Sequence, residues 1–145
     1  MRIRDSLPGE ADALDALRRR ATDVWATYRE ELARYPEALA VPHDWVDEGR
    51  IRVAVGDDDR PIGFAVALAD QLDGLFVDPE AMQRGIGRAL VEDAADRARR
   101  DGFGVLCVTA NENAVAFYER VGFVKVGTGP TRFGPGARMK LDLRT

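Results

Sequence analysis

A chain of 145 residues suits one domain with a single core, since a domain takes on the order of 100 to 200 residues; a single domain over 1–145 is expected. A 46% hydrophobic and 32% charged composition excludes a disordered tail or a fibre, and a net charge of -4 with arginines set among acids leaves no basic stripe for nucleic acid to follow. No run approaches the ~20 apolar residues of a membrane span, and residues 1–5 lack an apolar signal core, so no membrane partner and a soluble, cytoplasmic protein are expected.

Taken in chain order, residues 1–4 read as a short edge strand, and Pro8-Gly9-Glu10 starts a helix to about Val24 with Leu14 and Leu17 on its apolar side. The segment 25–48, with Leu32, Pro36 and Pro42, reads as one or two broken helices. Residues 51–55 alternate like a strand, Asp57-Asp58-Asp59 turns the chain, and 61–69 returns as the second arm of a hairpin. Residues 72–77 form a third strand, stopped by Asp78-Pro79.

The spacing of Ile86, Leu90, Ala94 and Ala98 predicts a helix over 85–100, with Arg88–Glu92, Asp93–Arg97 and Asp96–Arg100 four apart and Gly102 as its stop. Residues 105–109 read as a buried strand containing the single cysteine, Cys107. A lone cysteine makes no internal disulfide, and in an apolar run it is read as a small core hydrophobe ahead of a catalytic thiol. Asn111 or Asn113 is placed to cap a helix through Arg120, Val121-Gly122-Phe123 reads as a glycine stop, 127–136 as a Gly/Pro-rich surface loop, and 138–143 as the last strand. Strands that first meander and then alternate with helices give an α/β (α+β) class, a mixed sheet flanked by helices on both faces.

The segment Met82-Gln83-Arg84-Gly85-Ile86-Gly87-Arg88-Ala89 is a glycine-rich turn between a strand and a helix, the layout in which backbone amides approach an anion closely. It is not a nucleotide P-loop, which wants Lys and then Ser or Thr after the second glycine, because Arg88-Ala89 follows Gly87. It lacks the third glycine and the placed acid of a dinucleotide turn. Tight packing at a helix start stays open for it as well.

The later segment Asn111-Glu112-Asn113-Ala114-Val115-Ala116-Phe117-Tyr118-Glu119-Arg120-Val121-Gly122-Phe123, following the glycine turn in this order and spacing, resembles the GNAT superfamily of N-acetyltransferases from about Ile51 to Leu143. The resemblance implies a mostly antiparallel central sheet splayed in a V, with acetyl-CoA entering the V and CoA leaving as product. It implies that amides of Met82, Gln83, Arg84, Gly85, Ile86, Gly87, Arg88 and Ala89 hold the pyrophosphate. By the same resemblance, backbone of Phe76 and Val77 pairs with the pantetheine arm, Asn111 binds that arm and Phe117 packs on it. Tyr118 then stands near the sulfur as general acid; the alternative is that Phe117 and Tyr118 are core aromatics of an amphipathic helix.

Two positions depart from the family pattern: Met82 stands where Gln or Arg is usual, and Gln71 where many relatives carry a Glu base. Alternation puts Gln71, Asp73, Leu75 and Val77 on one strand face, which makes Asp73 the candidate base, with a plain turn residue or a water in that role as alternatives. His43 reads as a surface or capping residue, and no metal is implied. The expected reaction is direct attack of an amine, on a small molecule or a peptide, on the acetyl thioester. The other reading is a non-catalytic CoA-binding module. Trp25, Tyr28, Tyr35 and Trp45 suggest an aromatic acceptor pocket or plain helix packing; the acceptor itself, and whether the chain is a homodimer, stay open.

Overall fold

The computed structural model describes residues 1–23, 45, 49–112, 114–131 and 134–144. The expectations for Trp25, Tyr28, Tyr35, His43 and Asn113 lie outside the described residues, as does the proposed path of 25–48 apart from Trp45. Seven strands, β1 (Arg2–Asp5), β2 (Ile51–Val55), β3 (Pro61–Leu68), β4 (Gln71–Val77), β5 (Val105–Ala110), β6 (Val124–Thr131) and β7 (Gly134–Asp142), form one sheet in the order β1-β2-β3-β4-β5-β7-β6. Three α-helices are described, α1 (Ala11–Asp23), α2 (Ile86–Arg100) and α3 (Val115–Arg120), with a 3-10 turn at Pro79–Ala81. This is the mixed, mostly antiparallel architecture expected. No described helix is long and apolar enough to cross a membrane.

The chain groups into two compact units, Met1–Val66 with Gly74–Leu90 and Ala67–Asp73 with Val91–Thr145. In the first, β1 pairs antiparallel with β2 (Arg2↔Val55) and β2 with β3 (Ile51↔Val66). The turn between β2 and β3 closes where Asp59, at φ 62°, donates its amide to Gly56 O at 3.0 Å. Leu14 and Leu17, one turn apart on α1, are fully buried with Ile51, Val53, Val55, Phe64 and Val66, each such side chain contributing roughly 1.5–3 kcal/mol by leaving water. Glu10 holds the start of α1: its carboxylate accepts two hydrogen bonds from Arg4 at 3.0 and 2.8 Å and one from the Leu7 amide at 2.9 Å.

In the second unit β4 begins in parallel with β5 (Gln71↔Cys107, Leu72↔Val108), β5 pairs antiparallel with β7 over 105–110, and β7 with β6. Alternation buries Leu72, Leu106, Val108 and Met139 on one face, with Phe123 and Leu143 also buried. Residues 127–131 and 134–136 are therefore strand and not loop: Gly127↔Arg138, Thr128↔Ala137 and Gly129↔Gly136 are ladder pairs. Glycine and proline weaken a strand signal, but β6 is an edge strand whose free side tolerates Pro130. Cys107 is half-buried on the face opposite Leu106 and Val108, not a core residue.

Two local expectations are also corrected. Asp96 pairs with Arg99 at 2.7 Å in place of Arg100, whose Nε donates to the Asp96 carbonyl at 3.4 Å; on a helix, positions three apart are as near as positions four apart. Asn111 does not cap α3 directly. Its Oδ1 accepts from Ala114 N at 3.1 Å, folding the turn that leads into the helix.

The C-terminus of α3 closes as the sequence predicts. Phe123 N donates to Tyr118 O at 2.9 Å and Gly122 N to Glu119 O at 3.1 Å, the paired bonds of a Schellman stop, and the rings of Tyr118 and Phe123 meet at 5.3 Å as its apolar contact. Gly122 sits at φ 106°, and a Cβ there would stand 3.1 Å from Leu141 Cδ1. Gly122→Ala is expected to cost about 1–2 kcal/mol, read as a lower midpoint in urea unfolding; an unchanged midpoint would mean that the stop is dispensable.

Candidate active site

In the first unit the glycine-rich segment is assembled on a strand position that carries no side chain. A Cβ on Gly63 would lie 3.0 Å from Ile86 Cγ2, 3.0 Å from the Phe76 carbonyl oxygen and 3.3 Å from Leu90 Cδ1, so the first turn of α2 packs directly on β3. An isolated glycine inside a strand is the sequence signal of such a close approach. Asp78 does more than stop the strand. It is a buried carboxylate, 4% exposed, that accepts from Arg20 Nη2 at 2.9 Å and from Glu80 N at 3.1 Å. Its own amide donates to Ile62 O at 2.9 Å. Asp78 thus ties the end of β4 to α1, to β3 and to the 3-10 turn.

From that anchor the backbone alternates in sign: Met82 at φ -65°, Gln83 at φ 66°, Arg84 not positive and Gly85 at φ 75°. Such alternation turns successive N–H groups toward one side, a nest for an anion. The first intrahelical bond reaches from Ala89 N to Gly85 O at 3.0 Å, so the amides of Ile86, Gly87 and Arg88 precede the helical ladder and carry its partial positive charge. Met82, Gln83, Arg84, Gly85 and Arg88 are exposed, Gly87 and Ala89 half-buried and Ile86 buried. Among the described residues, no atom beyond the adjoining residues lies within 4 Å of the position a Gly85 Cβ would take. These residues fit a diphosphate: the donors are backbone amides, which leaves Met82 tolerable at its position.

Phe76 and Val77 are half-buried. The Phe76 ring packs on Phe64 at 5.1 Å, and the Arg18 guanidinium lies 5.0 Å from its centroid and 5.8 Å from that of Trp45. Asp15, on the same helix, keeps its Oδ1 buried without a hydrogen bond while Oδ2 accepts from Arg19 Nε at 3.4 Å.

In the second unit Gln71 and Asp73 are exposed on the face opposite buried Leu72. Asn111 and Phe117 are half-buried, and Tyr118 is 5% exposed with its ring edge-on to Phe117 at 5.2 Å. Burial raises the Tyr118 phenol well above its ordinary pKa of 10.0, because the phenolate would lose its hydration. A phenol held in this way keeps its proton throughout the neutral range and is available as a donor.

The residues 14–123 match the family model described as "Acetyltransferase (GNAT) family". The chain is 34% identical over 125 residues, 86% of its length and 84% of the relative's, to peptidyl-lysine N-acetyltransferase YjaB of Salmonella typhimurium. It is 36% identical over 130 residues, 86% of its length and 83% of the relative's, to the protein of that name from Escherichia coli. Among solved structures, PaiA N-acetyltransferase from Thermoplasma acidophilum in complex with coenzyme A superposes with a TM-score of 0.78 over 97% of this chain and 98% of that one, at 18% identity, which shows the shared fold.

The raised Tyr118 pKa has a sign that can be tested. Because the folded phenol binds its proton more tightly than the unfolded one, its contribution is complete below about pH 10 and is lost as pH rises above that value. Between about pH 9 and pH 11 the stability of the parent should fall more steeply than that of Tyr118→Phe, by up to about 1.4 kcal/mol per pH unit, in parallel urea titrations. Equal slopes would place the phenol in water.

Proposed function

The chain belongs to the acetyltransferase (GNAT) family and is an acyltransferase, and from that premise we propose that it acts as a single domain to acetylate peptidyl lysine by direct amine attack. The observation that carries the acceptor class is the 34% and 36% identity, over most of the chain, to two relatives named peptidyl-lysine N-acetyltransferase. Acetyl-CoA is the acetyl donor of the family and supplies the activated thioester.

In this reading the amides over 82–89 hold the diphosphate, supported by the alternating φ signs and the open position at Gly85. Phe76 and Val77 offer backbone donors and acceptors to the pantetheine amides, as a paired strand would. Asn111 and Phe117 border that arm. Asp73, exposed on its strand face, takes a proton from the lysine ammonium so that the free amine can attack, the part that Gln71 cannot play. Tyr118 donates its phenolic proton or a hydrogen bond to the departing thiolate sulfur. Burial suits it to this part because it stays neutral.

Initial rates of thiol release from acetyl-CoA, with products located by mass spectrometry, test the acceptor across lysine peptides, α-amino peptides blocked at lysine, and small polyamines. Acetylation of lysine Nζ in peptides is expected; turnover confined to small amines would overturn the reading. Tyr118→Phe should lower kcat by roughly 10²-fold with acetyl-CoA affinity unchanged, and Asp73→Asn should move the rising limb of kcat/KM to higher pH. Full turnover in Tyr118→Phe would leave the thiolate to depart unaided, and an unshifted Asp73→Asn profile would hand the proton to water.

A further inference from the structure

The distribution of cations on the second unit points to part of the acceptor site. Several other surface arginines are matched with acids: Arg2 with Asp59, Arg52 with Asp5 at 2.9 Å, Arg99 with Asp96 at 2.7 Å, and Arg144 with Asp142 at 3.3 Å. Arg138 and Lys140 differ. They stand two apart on β7, both exposed and therefore on one face, and among the described residues neither makes an ion pair.

Their cross-strand neighbours on that face are uncharged. Lys140 lies between Cys107 of β5 and Val124 of β6, and Arg138 between Thr109 and Gly127. The next residue on the face, Asp142, is turned to Arg144, accepting from its amide at 2.9 Å and from its Nε at 3.3 Å. The Arg138 stem lies across Gly129, where a Cβ would stand 3.1 Å from both Cγ and Cδ. The missing side chain gives the arginine a flat seat on the sheet and leaves its guanidinium at the surface.

The row Gln71–Cys107–Lys140–Val124 runs across β4, β5, β7 and β6, and Asp73 shares the face of Gln71. Adjacent strands are about 4.8 Å apart, so Gln71 and Lys140 are separated by roughly 10 Å, which an extended peptide covers in about three residues. On a chain of net charge -4, two exposed cations close to the candidate base favour an acidic segment that the rest of the surface repels.

We propose that Arg138 and Lys140 read acidic side chains within a few residues of the reactive lysine in a peptide acceptor. This inference rests on the peptidyl-lysine reading above and adds a sequence preference to it.

The test uses two peptides identical except that Glu or Gln flanks a single lysine two and three residues away. The parent should favour the Glu peptide by roughly 3- to 10-fold in kcat/KM at low salt, the range open to two solvent-exposed charge contacts, and less so at high salt. Arg138→Gln with Lys140→Gln should erase the preference while keeping the rate on the Gln peptide, and Arg138→Glu with Lys140→Glu should reverse it. If the parent acetylates both peptides equally, the inference fails and the peptidyl-lysine reading stands; if it acetylates neither but turns over a small amine, both fall. Competition by a short oligonucleotide but not by an unreactive poly-glutamate peptide would assign the cations to phosphate and overturn the proposal. So would a parent that sediments as a dimer and a Gln double variant that sediments as a monomer, since a second copy would then cover the face.

Discussion

The amides at the start of α2 stand where they do because Ile86 and Leu90 press on a strand position with no side chain. Gly63 sets that approach at about van der Waals limit, and nearly everything in the first unit that concerns an anion follows from it. A methyl group there would move the helix start, and with it Gly85, Gly87 and Arg88, by a few tenths of an ångström or more. Preorganised amides lose their value with such shifts, since their contribution depends on donors being fixed before the anion arrives. The buried Asp78, bonded to Arg20, Glu80 and through its amide to Ile62, holds the other end of the same segment.

A comparable logic holds in the second unit. Tyr118 lies in a helix of six residues, too short to be stable alone. It is fixed by the Schellman stop at Gly122 and by ring contacts with Phe117 and Phe123. The same contacts that orient the phenol also dehydrate it and raise its pKa. Packing and proton affinity are therefore one design in this helix: a change that loosens Phe123 would both misplace the hydroxyl and lower its pKa toward that of a phenol in water.

Charge is organised differently from packing. Several arginines pair with acids of the same chain, and such exposed pairs contribute little to stability. Arg138 and Lys140, two apart on one face of β7, make no ion pair among the described residues and have uncharged partners on β5 and β6. Edge strand β6 contributes through what it lacks, with glycines at 127 and 129 beside Arg138.

Local pattern was enough for the periodic elements. Leu14 and Leu17 define α1, Ile86, Leu90, Ala94 and Ala98 define α2, and the Gly-x-Gly and Phe-Tyr-x-x-x-Gly-Phe spacing pointed to the family, because short-range periodicity and backbone freedom are written residue by residue. The β6–β7 ladder was not legible: the glycines and prolines of 127–136 argue against a strand, and only pairing with β7 overrides them. Nor were the seat at Gly63, the burial of Asp78 or the choice of Arg99 as the partner of Asp96. The sequence by itself determined the family and the periodic elements, α1, α2, the first hairpin and β5, in their order. The tertiary structure alone decided which glycine makes room for α2, how dry Tyr118 is and which cations are left unmatched, since each depends on atoms brought together from distant parts of the chain.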